Sequence, residues 1–358
     1  MIYKRYLASE ILRSGAGVFC LVVIIFACDC AVKYLSESVA GSLPPAMVGY
    51  LIFLRVTIGL EVILPVAFFL AVIIALGRLY KDSEMTAFGA CGVGMVNTLR
   101  IIIFLSLPVA VLSAVTSLSV RPMAWTEIYR VMDEAQHQFD ISRLYPSTFL
   151  KMRSGKLVLF ADEVYKVGNT AQNVFVHIAE GENRRVIRAQ EMMQGASTQA
   201  GILNLTFKNG TIYEPPSNEE PAKVTRFNQV QYTVPSQIPE NPHYRRKATP
   251  TGQLLGSERP HDIAELQWRL SAPLSTLLLA LLAVPLSKSS PRKGKFARIG
   301  LAITIFAVYF QLFTIARTWV DRTYMPSFPG IWWVPALLFS LALVVLWRTD
   351  EIFCRRPK

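Results

Sequence analysis

Four charged side chains lie within or beside long apolar stretches, and these are the residues of the sequence most able to do chemistry. Asp29 and Lys33 are four residues apart near the end of the first apolar stretch, and Arg55 and Glu61 lie in the second. Burying an ionised group in hydrocarbon is costly, so such residues usually face a cavity or a charged partner. Asp29 and Lys33 could form a simple ion pair, or they could receive an anionic ligand. Glu61 could line a cavity, pair with Arg55 or lie at a helix end.

Another cation, Arg317, ends the fifth apolar stretch and is followed by Asp321 and Arg322. The simplest expectation is that the Arg317 side chain extends its guanidinium to the membrane surface. A ring formed by Lys33, Arg55 and Arg317 would suit phosphate or carboxylate groups. We therefore predict that these three residues bind substrate.

Sequence motifs for nucleotide hydrolysis, metal binding and nucleophilic catalysis are missing. There is no G-x-x-x-x-G-K-[ST], H-E-x-x-H or G-x-S-x-G pattern, and the four histidines are scattered through the polar central region. Cys28 and Cys30 lack the further ligands that a metal site would need, so they are interpreted as packing residues. We expect a non-catalytic chain that holds no cofactor.

Six apolar stretches could supply the elements that position these charges. A bilayer core of about 30 Å needs about 20 apolar residues in helical form, and only 17% of the chain is charged. The stretches cover about 15–35, part of 47–79, 96–120, 268–286, 296–316 and 331–347. The sequence predicts six transmembrane helices, arranged as three before and three after a polar central domain.

The second stretch, 47–79, is longer than one crossing requires, at roughly 50 Å for a straight helix. We predict an external interfacial or partly embedded helix over 47–58, a crossing over about 60–79 and a kink at Pro65. The net charge of +12 is concentrated in the two tails and in the loops after the second and fourth stretches. By the positive-inside rule both termini are then cytoplasmic, and the central domain lies on the other side.

Residues 121–262 form the inserted domain, between helical regions 1–120 and 263–358. Short β-type runs at 158–160, 174–178, 186–188, 202–207 and 230–234 predict an all-β sandwich, jellyroll or open barrel. The pair Asn209-Gly210 follows an alternating run and predicts a hairpin turn. Residues 126–150 are expected to be more helical, and the Pro-rich 235–262 to be a poorly ordered linker.

A short polar stretch after the second apolar stretch, 77–94, predicts a helix over about 79–91. Tyr80, Glu84 and Phe88 recur every fourth residue and therefore share one helix face. The region could be a solvated connector, or it could insert into a cytoplasmic partner. The residues alone do not separate these two interpretations.

Three segments of the chain carry a resemblance to a known family. They are MIYKRYLASEIL at the start, GRLYKDSEMTAFGACG after the second stretch, and AELQWRLSAPLSTLLLALLAVPLS at the fourth. These segments resemble the LptF/LptG (YjgP/YjgQ) permeases that export lipopolysaccharide in Gram-negative bacteria. The last segment is more similar to the LptF type than to the LptG type, which remains an alternative.

The resemblance implies a bacterial inner-membrane subunit that pairs with an LptG-like paralogue. An LptB-like ATPase dimer would bind ATP and Mg²⁺, and LptC-like and LptA-like jellyroll proteins would carry lipopolysaccharide onward. Glu84 matches the family's acidic coupling-helix residue, which contacts the ATPase, so the resemblance predicts that Tyr80, Glu84 and Phe88 couple this chain to the ATPase. Lys33 matches a basic position near lipopolysaccharide phosphates. Asp29 and Glu61 depart from the family pattern, and an ion-coupled secondary transporter that uses both as carriers is a further alternative.

Overall fold

The apolar stretches form long helices, because backbone polar groups in hydrocarbon must find partners within their own segment. The computed structural model describes residues 2–39, 43–137, 147–152, 157–165, 170–180, 183–195, 202–215, 222–235, 245–288 and 295–354. The helices are α1 (Ile2–Val39), α2 (Pro45–Lys81), α3 (Glu84–Ala90), α4 (Met95–Val115), α5 (Arg121–His137), α6 (Thr251–Leu254), α7 (Pro260–Ser287), α8 (Lys295–Asp321) and α9 (Trp333–Cys354).

Five of these helical stretches are long and apolar enough to cross a membrane, judged within the described residues by length and composition. A sixth apolar helix, Trp333–Arg348, is shorter. Together with the strands in the middle of the chain, they confirm the prediction of a helical membrane protein with an inserted β domain. The chain divides into two compact units, one containing 1–28, 53–126 and 245–358, and the other 29–52 and 127–244.

Helix α2 runs without interruption from Pro45 to Lys81, with Pro65 inside it. The prediction of a separate interfacial helix over 47–58 is therefore wrong. The half that follows Pro65 is deeply buried, with Phe69, Ala71 and Leu76 fully covered. Burial among neighbouring helices can support a helix across the hydrogen bond that a proline removes.

The unit that contains residues 1–28, 53–126 and 245–358 is called the helical unit below. Helix α7 is its centre and packs against α4, α8 and α9. Its inner face carries Leu279, Ala280, Leu282 and Ala283, which are all fully buried. These side chains join residues of α1, α2, α4, α8 and α9 in one hydrophobic core. Helix α7 can therefore hold a charged side chain far from solvent.

The third apolar stretch closes with a single π-helical turn, Thr116–Val120, and the helix continues beyond the predicted end at residue 120 as α5. Such turns are rare and occur often at functional sites. Pro122 follows the turn and has no N–H to donate to it. The Leu118 carbonyl in this turn instead accepts a hydrogen bond from the Thr251 hydroxyl (2.6 Å). The turn thus joins α5 to the segment before α7.

Seven strands form one antiparallel sheet in the other unit. They are β1 (Thr148–Met152), β2 (Leu157–Ala161), β3 (Glu163–Tyr165), β4 (Thr170–Glu180), β5 (Asn183–Gln194), β6 (Ile202–Glu214) and β7 (Lys223–Pro235). The order is β1-β2-β4-β5-β6-β7, with β3 also paired to β4. Neighbours in the sheet are thus neighbours in the chain, and one face carries a core that includes Leu159, Val176, Leu205 and Phe207.

The hairpin predicted at Asn209-Gly210 is wrong, because β6 passes through both residues as one strand. Gly210 pairs with Ala189 on one side and Phe227 on the other. Asn209 does adopt the left-handed conformation that the pair favours (φ 49°), and so does Asn173 in β4 (φ 50°). The local preference is therefore met, but pairing to two long neighbours prevents the chain from reversing.

Candidate functional site

Two charged residues of α7, Glu265 and Arg269, lie one helical turn apart and are both fully buried. Three guanidinium groups surround the Glu265 carboxylate. Its Oε1 lies 3.2 Å from Arg269 Nε and 3.1 Å from Arg121 Nε, and its Oε2 accepts a hydrogen bond from Arg317 Nη2 (2.5 Å). Glu265 therefore connects α7 to α5 and α8 through charge.

Glu61 of α2 is 4% exposed and joins the same network through Arg121, with which it forms a hydrogen-bonded ion pair. Its carboxylate also accepts hydrogen bonds from the Trp268 indole (3.0 Å) and from Ser117 in the π-helical turn (3.1 Å). Of the roles open to Glu61, the structure shows an ion pair with Arg121 and not with Arg55. A buried carboxylate needs such partners to remain charged.

The five side chains Glu61, Arg121, Glu265, Arg269 and Arg317 are called the buried charge network below. Three cations face two carboxylates, and the indole of Trp268 offers a further partner to two of the cations. Its ring centre lies 4.6 Å from Arg317 Cζ and 5.8 Å from Arg121 Cζ. Buried ion pairs add little net stability, but losing one member leaves an uncompensated charge. The network therefore fixes how α2, α5, α7 and α8 fit together.

Arg269 also holds the chain that returns from the β domain. Its Nη1 donates to the Thr249 carbonyl and the Thr251 hydroxyl, both at 2.9 Å. Its Nη2 donates to the carbonyls of Arg246 (3.3 Å) and Lys247 (3.2 Å). The prediction of a poorly ordered linker over 235–262 is thus wrong for 245–262, because a buried guanidinium binds its backbone; 236–244 lies outside the described residues.

A second ion pair fastens the same segment to the end of α8. Arg246 Nη2 donates to Asp321 Oδ2 (2.8 Å), and His261 Nδ1 lies 2.9 Å from Asp321 Oδ1. The hydrogen bond to the Asp321 carboxylate raises the pKa of Arg246 above its ordinary value. Residues 245–249 are therefore anchored at two points.

A narrow crevice of about 40 Å³ opens beside the buried charge network, between α2, α7 and α8. Glu61 and Trp268 line one part, and Ser275 and Tyr309, whose oxygens lie 2.5 Å apart, line another. The crevice therefore brings the Glu61 carboxylate and the hydroxyl groups of Ser275 and Tyr309 to one opening.

The three residues predicted to bind substrate have different surroundings. Lys33 forms an exposed ion pair with Asp29 (2.7 Å). Arg55 lies over the Trp125 ring, with Cζ 4.9 Å from its centre. The expectation that Arg317 extends to the membrane surface is wrong, because its side chain is 15% exposed and bonded to Glu265. Arg55 and Arg317 belong to one unit and Lys33 to the other, so the predicted ring stays a prediction.

The ion pairs also bear on the alternative of an ion-coupled transporter. Asp29 is paired with Lys33, and Glu61 is paired with Arg121. A carboxylate that carries a proton must be able to exchange its ionic partner for that proton. The two observed pairs do not favour this use.

The predicted cytoplasmic helix is present as α3, Glu84–Ala90, while Tyr80 belongs to the end of α2. The face shared by these residues packs toward α1. Tyr6 donates a hydrogen bond to Glu84 Oε2 (2.8 Å), and the Tyr3 ring centre lies 4.7 Å from that of Phe88. Both Tyr80 and Phe88 pack against the hydrophobic core.

Sequence reasoning missed Arg121, Glu265 and Arg269, three of the five members of the buried charge network. A signal was present, since Glu265 and Arg269 are spaced i, i+4 at the start of an apolar helix. Arg121 gave no such local signal, because its carboxylates lie 60 and 144 residues away in the chain.

Comparison with known proteins gives consistent results over nearly the whole sequence. The family model described as "Lipopolysaccharide export system permease LptF/LptG" matches residues 5–348. The Lipopolysaccharide export system permease protein LptF of Escherichia coli (strain K12) is 26% identical over 355 residues, which covers 98% of this chain and 96% of that protein. The protein of the same description from Shigella flexneri has the same identity and coverage.

Proposed function

The chain belongs to the lipopolysaccharide export permease family LptF/LptG, and on this basis we propose that it is the LptF-type membrane subunit of an ATP-driven lipopolysaccharide exporter. It would take lipopolysaccharide from the outer leaflet of the bacterial inner membrane and pass it to a periplasmic bridge. Both termini would be cytoplasmic and the β domain periplasmic. The match of the family model to residues 5–348 carries this proposal.

ATP and Mg²⁺ would be bound by a separate LptB-like ATPase dimer, and this chain would be non-catalytic. The geometry of α3 supports a docking role. Its inner side is held by α1 through the bond between Tyr6 and Glu84. The residues left exposed on and after α3 are small: Thr86, Ala87, Gly89, Ala90 and Cys91. A short helix fixed from behind, with a small-residue outer face, can enter a groove on a partner without large side chains in the way.

The other proposed partners are an LptG-like paralogue, as a heterodimer, and LptC-like and LptA-like jellyroll proteins. Large apolar side chains remain exposed on the outer helices of the helical unit, for example Phe104 (75%) and Val111 (62%) on α4 and Trp347 (66%) on α9. Such exposure suits lipid tails or the helices of a paralogue. Lys33 and Arg55 remain the proposed substrate-binding residues for the phosphates of the lipid. Arg317, which was predicted to join them, is already paired with Glu265.

The proposal is tested by copurification of the full-length chain with an LptB-like ATPase and an LptG-like paralogue. Glu84→Ala should reduce ATPase retention at least several-fold. Asp82→Ala is a matched control, because Asp82 is an exposed acid two residues earlier that is paired only loosely with Arg78 (3.7 Å). Ala87→Trp should block docking through the outer face, since Ala87 is exposed.

Normal retention of the ATPase by both Glu84→Ala and Ala87→Trp would contradict the docking role of α3. A native chain that copurifies with neither ATPase nor lipopolysaccharide would contradict the proposed function as a whole. Unchanged elution of each variant on size exclusion shows that the fold is intact.

A further inference from the structure

Two tryptophan rings in the helical unit each attract a pair of cations, and the pairs differ in what balances their charge. At Trp268 the cations are Arg121 and Arg317. Arg121 is paired with Glu61, and Arg121 and Arg317 are each paired with Glu265. This pair is neutralised inside the protein and needs no further anion.

At Trp125 the cations are Arg55 and Lys247. Arg55 Cζ lies 4.9 Å and Lys247 Nζ 4.6 Å from the ring centre, so the two charges are no more than 9.5 Å apart. Within the part of the chain that the structure describes, neither forms a salt bridge with a carboxylate. The indole face attracts a cation by about 0.5–2 kcal/mol, but it does not neutralise one.

The charges beyond the ring are also mostly positive. Together with the buried charge network, Arg55 and Lys247 make a region of five cationic side chains and two carboxylates, which leaves three positive charges unbalanced. Burial lowers the pKa of Lys247, and the guanidinium groups of Arg317, Arg55 and Arg121 lower it further. An anion bound here would relieve the repulsion among these charges.

The region is accessible to a ligand from outside the core. Arg55, Trp125 and Lys247 are all partly exposed. The same two helices also expose apolar side chains, Phe53 (65% exposed) on α2 and Met123 (69% exposed) on α5. Residues two apart lie on different faces of a helix, so these side chains mark the helices as apolar on the outside without lining the cation pair. A phosphate carried by a lipid could approach such helices.

We propose that Arg55, Trp125 and Lys247 form a binding site for a phosphate group of an anionic lipid. Arg55 supplies the planar fork that can bind two phosphate oxygens, and Lys247 supplies a point charge. The indole of Trp125 keeps both cations close together while the site is empty. The identity of the lipid as lipopolysaccharide rests on the proposed function, whereas the preference for a phosphate follows from the charges alone. Lys247 extends the proposed substrate contacts beyond Lys33 and Arg55.

The test uses the full-length chain in its purified complex, reconstituted in nanodiscs of zwitterionic phosphatidylcholine. The dissociation constant is measured for three probes: bisphosphorylated lipid A, dephosphorylated lipid A and phosphatidylglycerol. The variants are Arg55→Gln, Lys247→Gln and the double variant, with Lys247→Arg as the charge-preserving variant. Arg348→Gln is the matched control, since Arg348 is an exposed cation near the end of α9.

Each single substitution to Gln should weaken binding of bisphosphorylated lipid A about ten-fold, as expected for one charge-assisted hydrogen bond. The double variant should weaken it about a hundred-fold. Lys247→Arg and Arg348→Gln should change it less than two-fold, and binding of dephosphorylated lipid A should be unchanged in every variant. Thermal unfolding of each complex checks that the fold is retained.

Two results would overturn the inference. Equal affinity of the native and double-variant complexes for bisphosphorylated lipid A and for phosphatidylglycerol would show that no phosphate binds here. An equal loss for the dephosphorylated lipid would show that the residues only support the fold. A loss confined to phosphatidylglycerol would support the phosphate site and overturn its assignment to the exported lipid. Failure of the native complex to bind either form of lipid A would instead count against the proposed function.

Discussion

The buried charge network can be tested most directly by replacing Glu265 with glutamine, which keeps the shape of the side chain and removes its charge. Glu265 is fully buried and contacts Arg121, Arg269 and Arg317. Its loss would leave three guanidinium groups and one carboxylate in the network. We expect Glu265→Gln to destabilise the helical unit strongly.

The size of the expected destabilisation depends on which contacts each arginine keeps in Glu265→Gln. Arg121 keeps Glu61, and Arg269 keeps the backbone carbonyls and hydroxyl of the 245–251 segment. Arg317 keeps no carboxylate among the residues that the structure describes. Removing one partner of a buried ion pair lowers stability by about 3–5 kcal/mol. One arginine left without a carboxylate should therefore lower the stability by about 4 kcal/mol. At about 2–4 °C per kcal/mol for a unit of this size, the midpoint of thermal unfolding should fall by roughly 10 °C.

The assay is thermal unfolding of the full-length chain in detergent, monitored by the fraction that still elutes as folded protein on size exclusion after heating. Adding Arg317→Gln to Glu265→Gln should recover part of the loss, because it removes the uncompensated cation. Glu127→Gln is the control; Glu127 forms an exposed pair with Arg130 on α5, which should be worth less than about 1 kcal/mol. The reasoning is refuted if Glu265→Gln lowers the midpoint by less than 3 °C, or if the double variant melts below Glu265→Gln.

Two further substitutions test helix α3 and the sheet. Tyr6→Phe removes the hydrogen bond to Glu84 and keeps the ring, so ATPase retention in copurification should weaken about five-fold, as for a loss of about 1 kcal/mol. In a Glu84→Ala background the same substitution should add nothing, and a full additional loss would contradict a shared role. Gly210→Ala places a Cβ in steric overlap with the Arg188 carbonyl oxygen, so amide hydrogen exchange in β5–β7 should speed up about five-fold or more, as for overpacking of about 1–3 kcal/mol. Gly195→Ala, whose Cβ would meet nothing closer than 3.5 Å, is the control, and equal exchange in the two variants would contradict the steric argument.

The sequence by itself determined the membrane character and the presence of an inserted β domain. Runs of about 20 apolar residues have few other stable structures, and alternating β-branched and aromatic residues favour strands wherever a face can be buried. The strands at 158–160, 174–178 and 186–188 were therefore predicted in place, although each is longer in the structure. The short helix after α2 could also be predicted, because its spacing and closing glycines are local properties.

Where the sequence failed, a contact between distant residues outweighed a local preference. Asn209-Gly210 prefers a turn, yet pairing of β6 with β5 and β7 on both sides of Asn209 prevents the chain from reversing, although Asn209 itself is left-handed. The length of 47–79 suggested two elements that meet near residue 59, yet packing carries α2 through this point as a single helix.

The charged residues show most clearly where local sequence information ends and contacts between distant residues decide. The sequence indicated that Glu61 needed a partner or a cavity, because isolated charges in apolar helices are costly, but it predicted that Arg317 reaches the membrane surface. It could not indicate the partners of these two residues, since Arg121 reaches Glu61 from α5 and Glu265 reaches Arg317 from α7. Only the tertiary structure decided that Arg317 is neutralised in the core while Arg55 and Lys247 are left beside Trp125, because charge balance depends on the distances between side chains far apart in the chain.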